Sequence, residues 1–237
     1  MQSISLKKVL LTNTFFFAFF VLLFFLFPNL DIHFSKLFFY EEKFISEKHI
    51  FIKNLRSFLK DFMIVISVFS LLLIVAGLLF KKKKKIFFLK SRTKLILLGF
   101  IVGPVIGCGL IANFYFKDNW GRARPINIQE FGGDKIYAKP FTISDQCKKN
   151  CSWIGGEASA AFSFITGTII LKNPIYLIIN LIFGIVVSLC RIAMGGHFLS
   201  DNIFAMIFMI YLAILYKYII YLYLKKKLFY EKSSNNN

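Results

Sequence analysis

Between Arg191 and Asp201 the chain reads Arg-Ile-Ala-Met-Gly-Gly-His-Phe-Leu-Ser-Asp, so a guanidinium, an imidazole and a carboxylate fall within eleven residues. If the run that follows is helical, His197 and Asp201 are four positions apart and share a face. A carboxylate there can accept a hydrogen bond from one imidazole nitrogen, leaving the other as a directed base or nucleophile. Arg191 adds a planar fork of donors suited to a phosphate or carboxylate. The plainer reading is a juxtamembrane Arg beside a His–Asp pair that caps a helix. Ionisable groups near a membrane are functional by default, which keeps the chemical reading in play.

The elements that must position these residues are membrane helices. Of the 237 residues, 57% are hydrophobic and 31 are Phe, and the mean hydropathy is +0.65. Soluble domains sit nearer half apolar or below, whereas several runs here approach the roughly 20 residues needed to cross a bilayer. The expected fold is all-α, a polytopic six-transmembrane-helix bundle forming a single domain over residues 1–227. The formal net charge of +18 does not imply nucleic acid, because the lysines lie in short blocks beside apolar runs, the positive-inside pattern.

In chain order, the expected spans are about 9–27, 58–80, 95–116, 157–171, 175–193 and 198–224, with a disordered tail at 228–237. The first exceeds a usual signal-peptide core and lacks a small-residue cleavage site, so it reads as an uncleaved span. Residues 29–56 mix charge with Phe and Ile, as an amphipathic segment on the membrane surface would. Gly103-Pro104 and Gly107 can kink the third span or let another helix approach closely. The fourth is short and rich in Ala, Ser and Gly, which suits a buried position. With Lys7-Lys8 inside, six crossings place Lys81 to Lys94, Lys172 and Lys225 to Lys227 inside, and both termini with them. Loops 29–56 and 117–156 and the 191–198 turn then share the outer face.

That outer loop opens Lys117-Asp118-Asn119-Trp120-Gly121-Arg122-Ala123-Arg124-Pro125. Cationic flanks normally favour the cytoplasmic side, so three cations on the outer side call for another role. Lys117, six residues, then Arg124-Pro125 resembles the first signature of the type 2 phosphatidic acid phosphatase superfamily; Arg191, five residues, His197, three residues, Asp201 resembles its third. Where that superfamily has Pro-Ser-Gly-His, this chain has Ile154-Gly155-Gly156-Glu157. The stretches Leu26 to Ile32, Asn119 to Pro125, Gly132 to Ile136, Cys147-x-x-Asn150-Cys151-Ser152 and 156–159 are similar to the lipid A 4'-phosphatase subgroup of bacterial inner membranes. That subgroup also carries an acid in place of the middle His, although Gly155 and Cys190 depart from its relatives.

The resemblance implies hydrolysis of a phosphate monoester on a membrane lipid, at the periplasmic face and without a metal or other cofactor. His197 would attack phosphorus and Asp201 would fix its tautomer. Lys117, Arg124 and Arg191, with the Gly155 and Gly156 amides at a helix start, would hold the phosphate. Glu157 would stand where the leaving group needs a proton, would orient water, or would pair with Arg122, a secondary candidate. The implied partner is a phosphorylated lipid of the lipid A type, with no nucleic acid and no obligate protein partner. Alternatives are action on undecaprenyl diphosphate or phosphatidylglycerol phosphate, or a non-catalytic lipid-binding or lipid-moving protein on the same fold. Cys108 and Cys190 read as inert apolar residues. Cys147 and Cys151 form no metal template; outside the cytoplasmic membrane, one helical turn apart, they can be bridged or free, and a bridge is the expectation.

Overall fold

The computed structural model describes residues 5–79, 89–171 and 173–234, with the backbone alone for 226–234. The chain is helical almost throughout: α1 (Leu6–Leu26), α2 (Leu30–Lys36), α3 (Ile45–Lys48), α4 (Ile50–Leu79), α5 (Ser91–Val102, continued in wider π winding over Gly103–Lys117), α6 (Gly156–Ser163), α7 (Ile165–Thr168), α8 (Ile175–Ala193) and α9 (Leu199–Ser234). A short hairpin, β1 (Phe39–Tyr40) against β2 (Lys43–Phe44), joins α2 to α3. Among the described residues five helices are long and apolar enough to cross a membrane: α1, α4, α5 with its continuation, α8 and α9 as far as Lys225. Their outward faces carry residues such as Phe25, 77% exposed, and Phe114, 72% exposed. Large side chains this bare are at home only in lipid.

The expected fourth span is the exception. It is broken at Phe164 into α6 and α7, neither of which alone is long enough to cross. This segment is the buried centre of the bundle, packed against α5, α8 and α9. Its small residues permit that packing: a Cβ on Gly103 of α5 would lie 2.3 Å from the Ser163 carbonyl oxygen. At the next residue, Pro104 has no N–H to offer the Phe100 carbonyl. That carbonyl accepts instead from Ser67 Oγ of α4 at 3.2 Å. The π winding begins at this point and delivers Lys117 to the helix end.

Residues 29–56, expected as an amphipathic segment, form α2, the hairpin, α3 and the start of α4. Asp31, Ile32, Ser35 and Phe44 are buried, and Ile32 and Phe44 pack with Ala123, Ile128, Phe131 and Phe198 as a cap over one end of the bundle. The following helix starts at Ile50, ahead of the expected Phe58. At that end lie the beginnings of α4, α6 and α9 and the ends of α5 and α8, joined by contacts such as Ile126 N–H to the Gly195 carbonyl at 3.0 Å. At the other end Arg92 donates to the Ile170 carbonyl at 2.8 Å, and Tyr216 to the Leu95 carbonyl. Of the basic clusters, Lys81 to Lys85 and Lys172 lie outside the described residues, as do the side chains of Lys226 and Lys227. The α9 backbone is helical to Ser234, past residue 228 where the sequence places the start of a disordered tail.

Candidate active site

His197 sits in the turn between α8 and α9 and is 1% exposed. Its Nδ1 lies 2.8 Å from the Ser152 carbonyl oxygen. A carbonyl can only accept, so Nδ1 carries the proton and Nε2 keeps its lone pair. Burial, reinforced by the charges of Arg191 and Lys117 and opposed by Asp201, pulls the imidazole down to about 4. The ring is therefore neutral at physiological pH, as a nucleophile must be.

The sequence expectation that Asp201 fixes this tautomer directly is not met. Its Oδ2 is 3.7 Å from Nδ1, too far for a hydrogen bond. Helix α9 begins only at Leu199, so His197 lies ahead of the regular turn on which the shared-face argument depends. The Asp201 carboxylate is already satisfied: Oδ2 accepts from Ser152 Oγ at 2.5 Å and from Phe198 N–H at 2.7 Å. Its Oδ1 accepts from Arg122 Nη1 at 2.6 Å. Ser152 links the two groups, with its carbonyl on the imidazole and its hydroxyl on the carboxylate.

Arg122 is fully buried, and its acidic partners are Asp31 and Asp201 rather than Glu157. It donates to Asp201, to Asp31 Oδ2 at 2.7 Å, to Ser200 Oγ at 2.9 Å and to the Ala138 carbonyl at 3.0 Å. The Phe198 ring covers it, 4.2 Å from guanidinium carbon to centroid. Burial opposes the charge, but Asp201 and Asp31 overcome it and hold the guanidinium above its ordinary range. The residue is a buried strut behind the turn that carries His197.

The other three cations converge. Lys117, buried at the end of α5, places Nζ 3.3 Å from Asn150 Oδ1. Arg124 Nη2 donates to the same oxygen at 2.8 Å and to the Asn150 carbonyl at 2.9 Å. Arg191, at the end of α8, places Nη1 3.9 Å from Met194 Sδ and Nε 3.9 Å from Glu157 Oε1, and this buried Nε has no hydrogen-bond partner among the described residues. A buried guanidinium N–H with no hydrogen-bond partner is suited to bind an anion. Gly156 opens α6, where first-turn N–H groups lack helical acceptors. A Cβ there would lie 2.9 Å from Lys117 Nζ and 2.7 Å from Asn113 Oδ1, so a side chain at this position would push the lysine tip away from the helix start. The Gly155 N–H, by contrast, is spent on the Asp201 carbonyl at 3.1 Å.

Glu157 is held by a residue that sequence reasoning missed. Arg56 of α4 grips both carboxylate oxygens, through Nε at 2.9 and 3.2 Å and through Nη2 in a shorter contact. Arg191 Nε stands 3.9 Å away. A carboxylate that accepts at both oxygens from one guanidinium is ionised. Beside it, a cleft of about 410 Å³ between α4 and α5, lined by Lys60, Met63, Ile64, Val68, Pro104 and Val105, opens from Glu157 along the apolar helices. Cys147 and Cys151 are bridged, with Cα atoms 5.6 Å apart, and their loop presents Asn150 to Lys117 and Arg124. Asp31, Arg56, Asn150 and Ser152 are thus the residues missed. One signal was available: Asp31, Asn150 and Ser152 stand in the stretches that carried the family resemblance, whereas Arg56 is one of three cations, with Lys53 and Lys60, around the start of the second span.

The lysine–arginine–histidine arrangement at the ends of tightly packed membrane helices matches a recognised phosphatase class: the chain belongs to the PAP2 superfamily, whose family model matches residues 93–225. Its catalytic class is phosphoric monoester hydrolase. Among relatives, the lipid A 4'-phosphatase of Francisella tularensis subsp. novicida (strain U112) is 37% identical over 198 residues, 81% of this chain and 86% of that protein. The lipid A 4'-phosphatase of Rhizobium leguminosarum is 32% identical over 114 residues, 47% of each chain. No solved structure gives a significant match.

Proposed function

We propose that this protein removes the 4'-phosphate of lipid A at the outer face of a bacterial inner membrane, through a phosphohistidine on His197. The observation that carries the reading is a neutral imidazole with a free Nε2, within electrostatic reach of Lys117 and of an Arg191 whose Nε lacks an acceptor. The phosphate dianion takes the place of Asn150 on Lys117 and Arg124 and accepts from Arg191. Nε2 attacks phosphorus as the bond to the sugar oxygen breaks. The leaving alkoxide takes a proton from water at the site mouth, and the imidazole, still protonated at Nδ1, carries one positive charge. Water then attacks phosphorus, Nε2 recovers its lone pair, and inorganic phosphate leaves with one proton gained by solvent.

The topology we infer has six crossings. Residues 156–171 start at the His197 end and reach Arg92 at the other, which supports the broken α6–α7 segment as the sixth passage. Lys90 and Arg92 lie away from the site, so the positive-inside rule turns the site outward and both termini inward. The α4–α5 cleft suits an acyl chain that remains in lipid while the headgroup phosphate reaches His197. Neither the cleft nor the cations choose among lipids; the choice of lipid A rests on the two relatives. The test is phosphate release by the purified protein from lipid A, undecaprenyl diphosphate and phosphatidylglycerol phosphate side by side, with products mapped by mass spectrometry. Loss of the 4'-phosphate from lipid A is expected; turnover of either other lipid in its place would replace this substrate.

A further inference from the structure

We infer that Asp31 is a positioning residue of the phosphoryl-transfer site, supplying the negative charge that lets the Arg122–Asp201 pair offset the positive charge that develops on His197. The inference rests on the phosphohistidine reading above. Asp31, Arg122 and Asp201 are each fully buried, and the guanidinium bridges the two carboxylates at 2.7 and 2.6 Å. Without Asp31, the pair behind the catalytic turn would be neutral. With it, two carboxylates face one guanidinium and one negative charge remains.

Asp31 is built to stay ionised. Oδ1 accepts from Ser200 N–H at 2.8 Å, and Oδ2 accepts from Ser200 Oγ at 2.5 Å and Arg122 Nη2 at 2.7 Å. Burial lifts this carboxyl above its ordinary range, yet the Ser200 N–H and the Arg122 guanidinium can only donate, and the Ser200 hydroxyl, which already accepts from Arg122, has its own proton to give Asp31. Burying an excess charge is unfavourable in the resting enzyme, where His197 is neutral. It becomes favourable when Nε2 bonds to phosphorus and the ring becomes cationic, so the excess charge stabilises the phosphorylated state over the resting one. The path from Asp31 to the ring is short: Arg122 joins it to Asp201, Asp201 to Ser152, and Ser152 to Nδ1. This also gives a chemical role to the Leu26 to Ile32 stretch, which joins α1 to α2 and lends Ile32 to the cap.

The test is the rate at which His197 is phosphorylated by phosphoramidate, a small donor that loses ammonia as Nε2 bonds to phosphorus and needs no lipid. The label is read as acid-labile phosphate in purified protein. Asp31→Asn is expected to slow labelling by about tenfold, the scale at which loss of a carboxylate supporting a metal-bound histidine lowers activity, with half-saturation by the donor unchanged. Asp31→Glu, which keeps the charge, should restore the rate to within threefold of wild type. Tyr137→Phe removes a neutral neighbour of Arg122 and should lose less than twofold. Equal losses in Asp31→Asn and Tyr137→Phe, or a wild-type rate in folded Asp31→Asn, would overturn the inference. If Asp31→Asn does not accumulate, a tenfold loss in folded Asp31→Glu overturns it as well. Absence of label on the wild-type protein would instead refute the phosphohistidine itself.

Discussion

Replacing Glu157 by Gln decides between two roles for the middle acid. A residue that protonates the leaving oxygen contributes roughly 10²- to 10⁴-fold to the rate, and its loss removes the alkaline limb of the pH profile. The fork from Arg56 and the neighbouring Arg191 mark Glu157 as a carboxylate, with no proton to give. Glu157→Gln should therefore keep kcat within about tenfold of wild type and leave the alkaline limb in place. Its effect should fall on stability. The Arg56 and Glu157 side chains are 31% and 22% exposed, between an exposed pair worth under about 1 kcal/mol and a buried one worth about 3–5 kcal/mol, so about 2 kcal/mol is at stake. For a chain of this size that lowers the melting temperature by about 4–8 °C. Arg56→Met should produce a similar fall. The assay is kcat and KM against pH on the lipid substrate, paired with thermal melting in detergent. A loss of a hundredfold or more with the alkaline limb abolished, at unchanged melting temperature, would refute this reasoning and return Glu157 to the acid role.

His197→Ala should lower kcat by at least about 10³-fold while substrate binding survives, because the cations remain; turnover near wild type would remove the nucleophile assignment. In a His33→Gln, His49→Gln background, nitrogen NMR should find His197 neutral, with its proton on Nδ1, and titrating near 4. Because the folded value is lowered, this group's contribution to stability is full above about 6.5 and is lost as pH falls from there through about 4; a midpoint at 6.5 or above would contradict the burial argument. Reduction of the Cys147–Cys151 bridge, or Cys151→Ser, should lower kcat several-fold by loosening the loop whose Ser152 carbonyl holds Nδ1 of His197. Two alkylatable thiols in native, fully active protein would refute that. Chelators should leave activity unchanged and vanadate should inhibit; activity lost to EDTA and restored by a divalent ion would overturn the metal-independent mechanism.

Hydropathy and lysine blocks were enough to read the long helices from the sequence, since a bilayer imposes length and apolarity on each crossing. The α6–α7 segment was harder. Its Ala, Ser and Gly residues marked burial, but the break at Phe164 depends on how closely α5 and α8 approach. Lys117, Arg124, Arg191 and His197 were legible because their spacing survives in the local chain. The Asp201 contact was not. Four-residue spacing puts two side chains near one another, but it does not say that the Ser152 carbonyl, 45 positions away, reaches the imidazole first. Arg56 with Glu157 and Asp31 with Arg122 are pairings between distant loops and helices, separated by 101 and 91 positions. No periodicity within one segment carries such information.

The most direct measurement is to quench the wild-type protein during turnover of lipid A and identify the phosphorylated atom by mass spectrometry and phosphorus NMR. Because Nδ1 donates to Ser152, the phosphoryl group is expected on Nε2 of His197, and it should be absent from His197→Ala. Continued phosphate release without a phosphoenzyme, or label on any other residue or on Nδ1, would contradict the account.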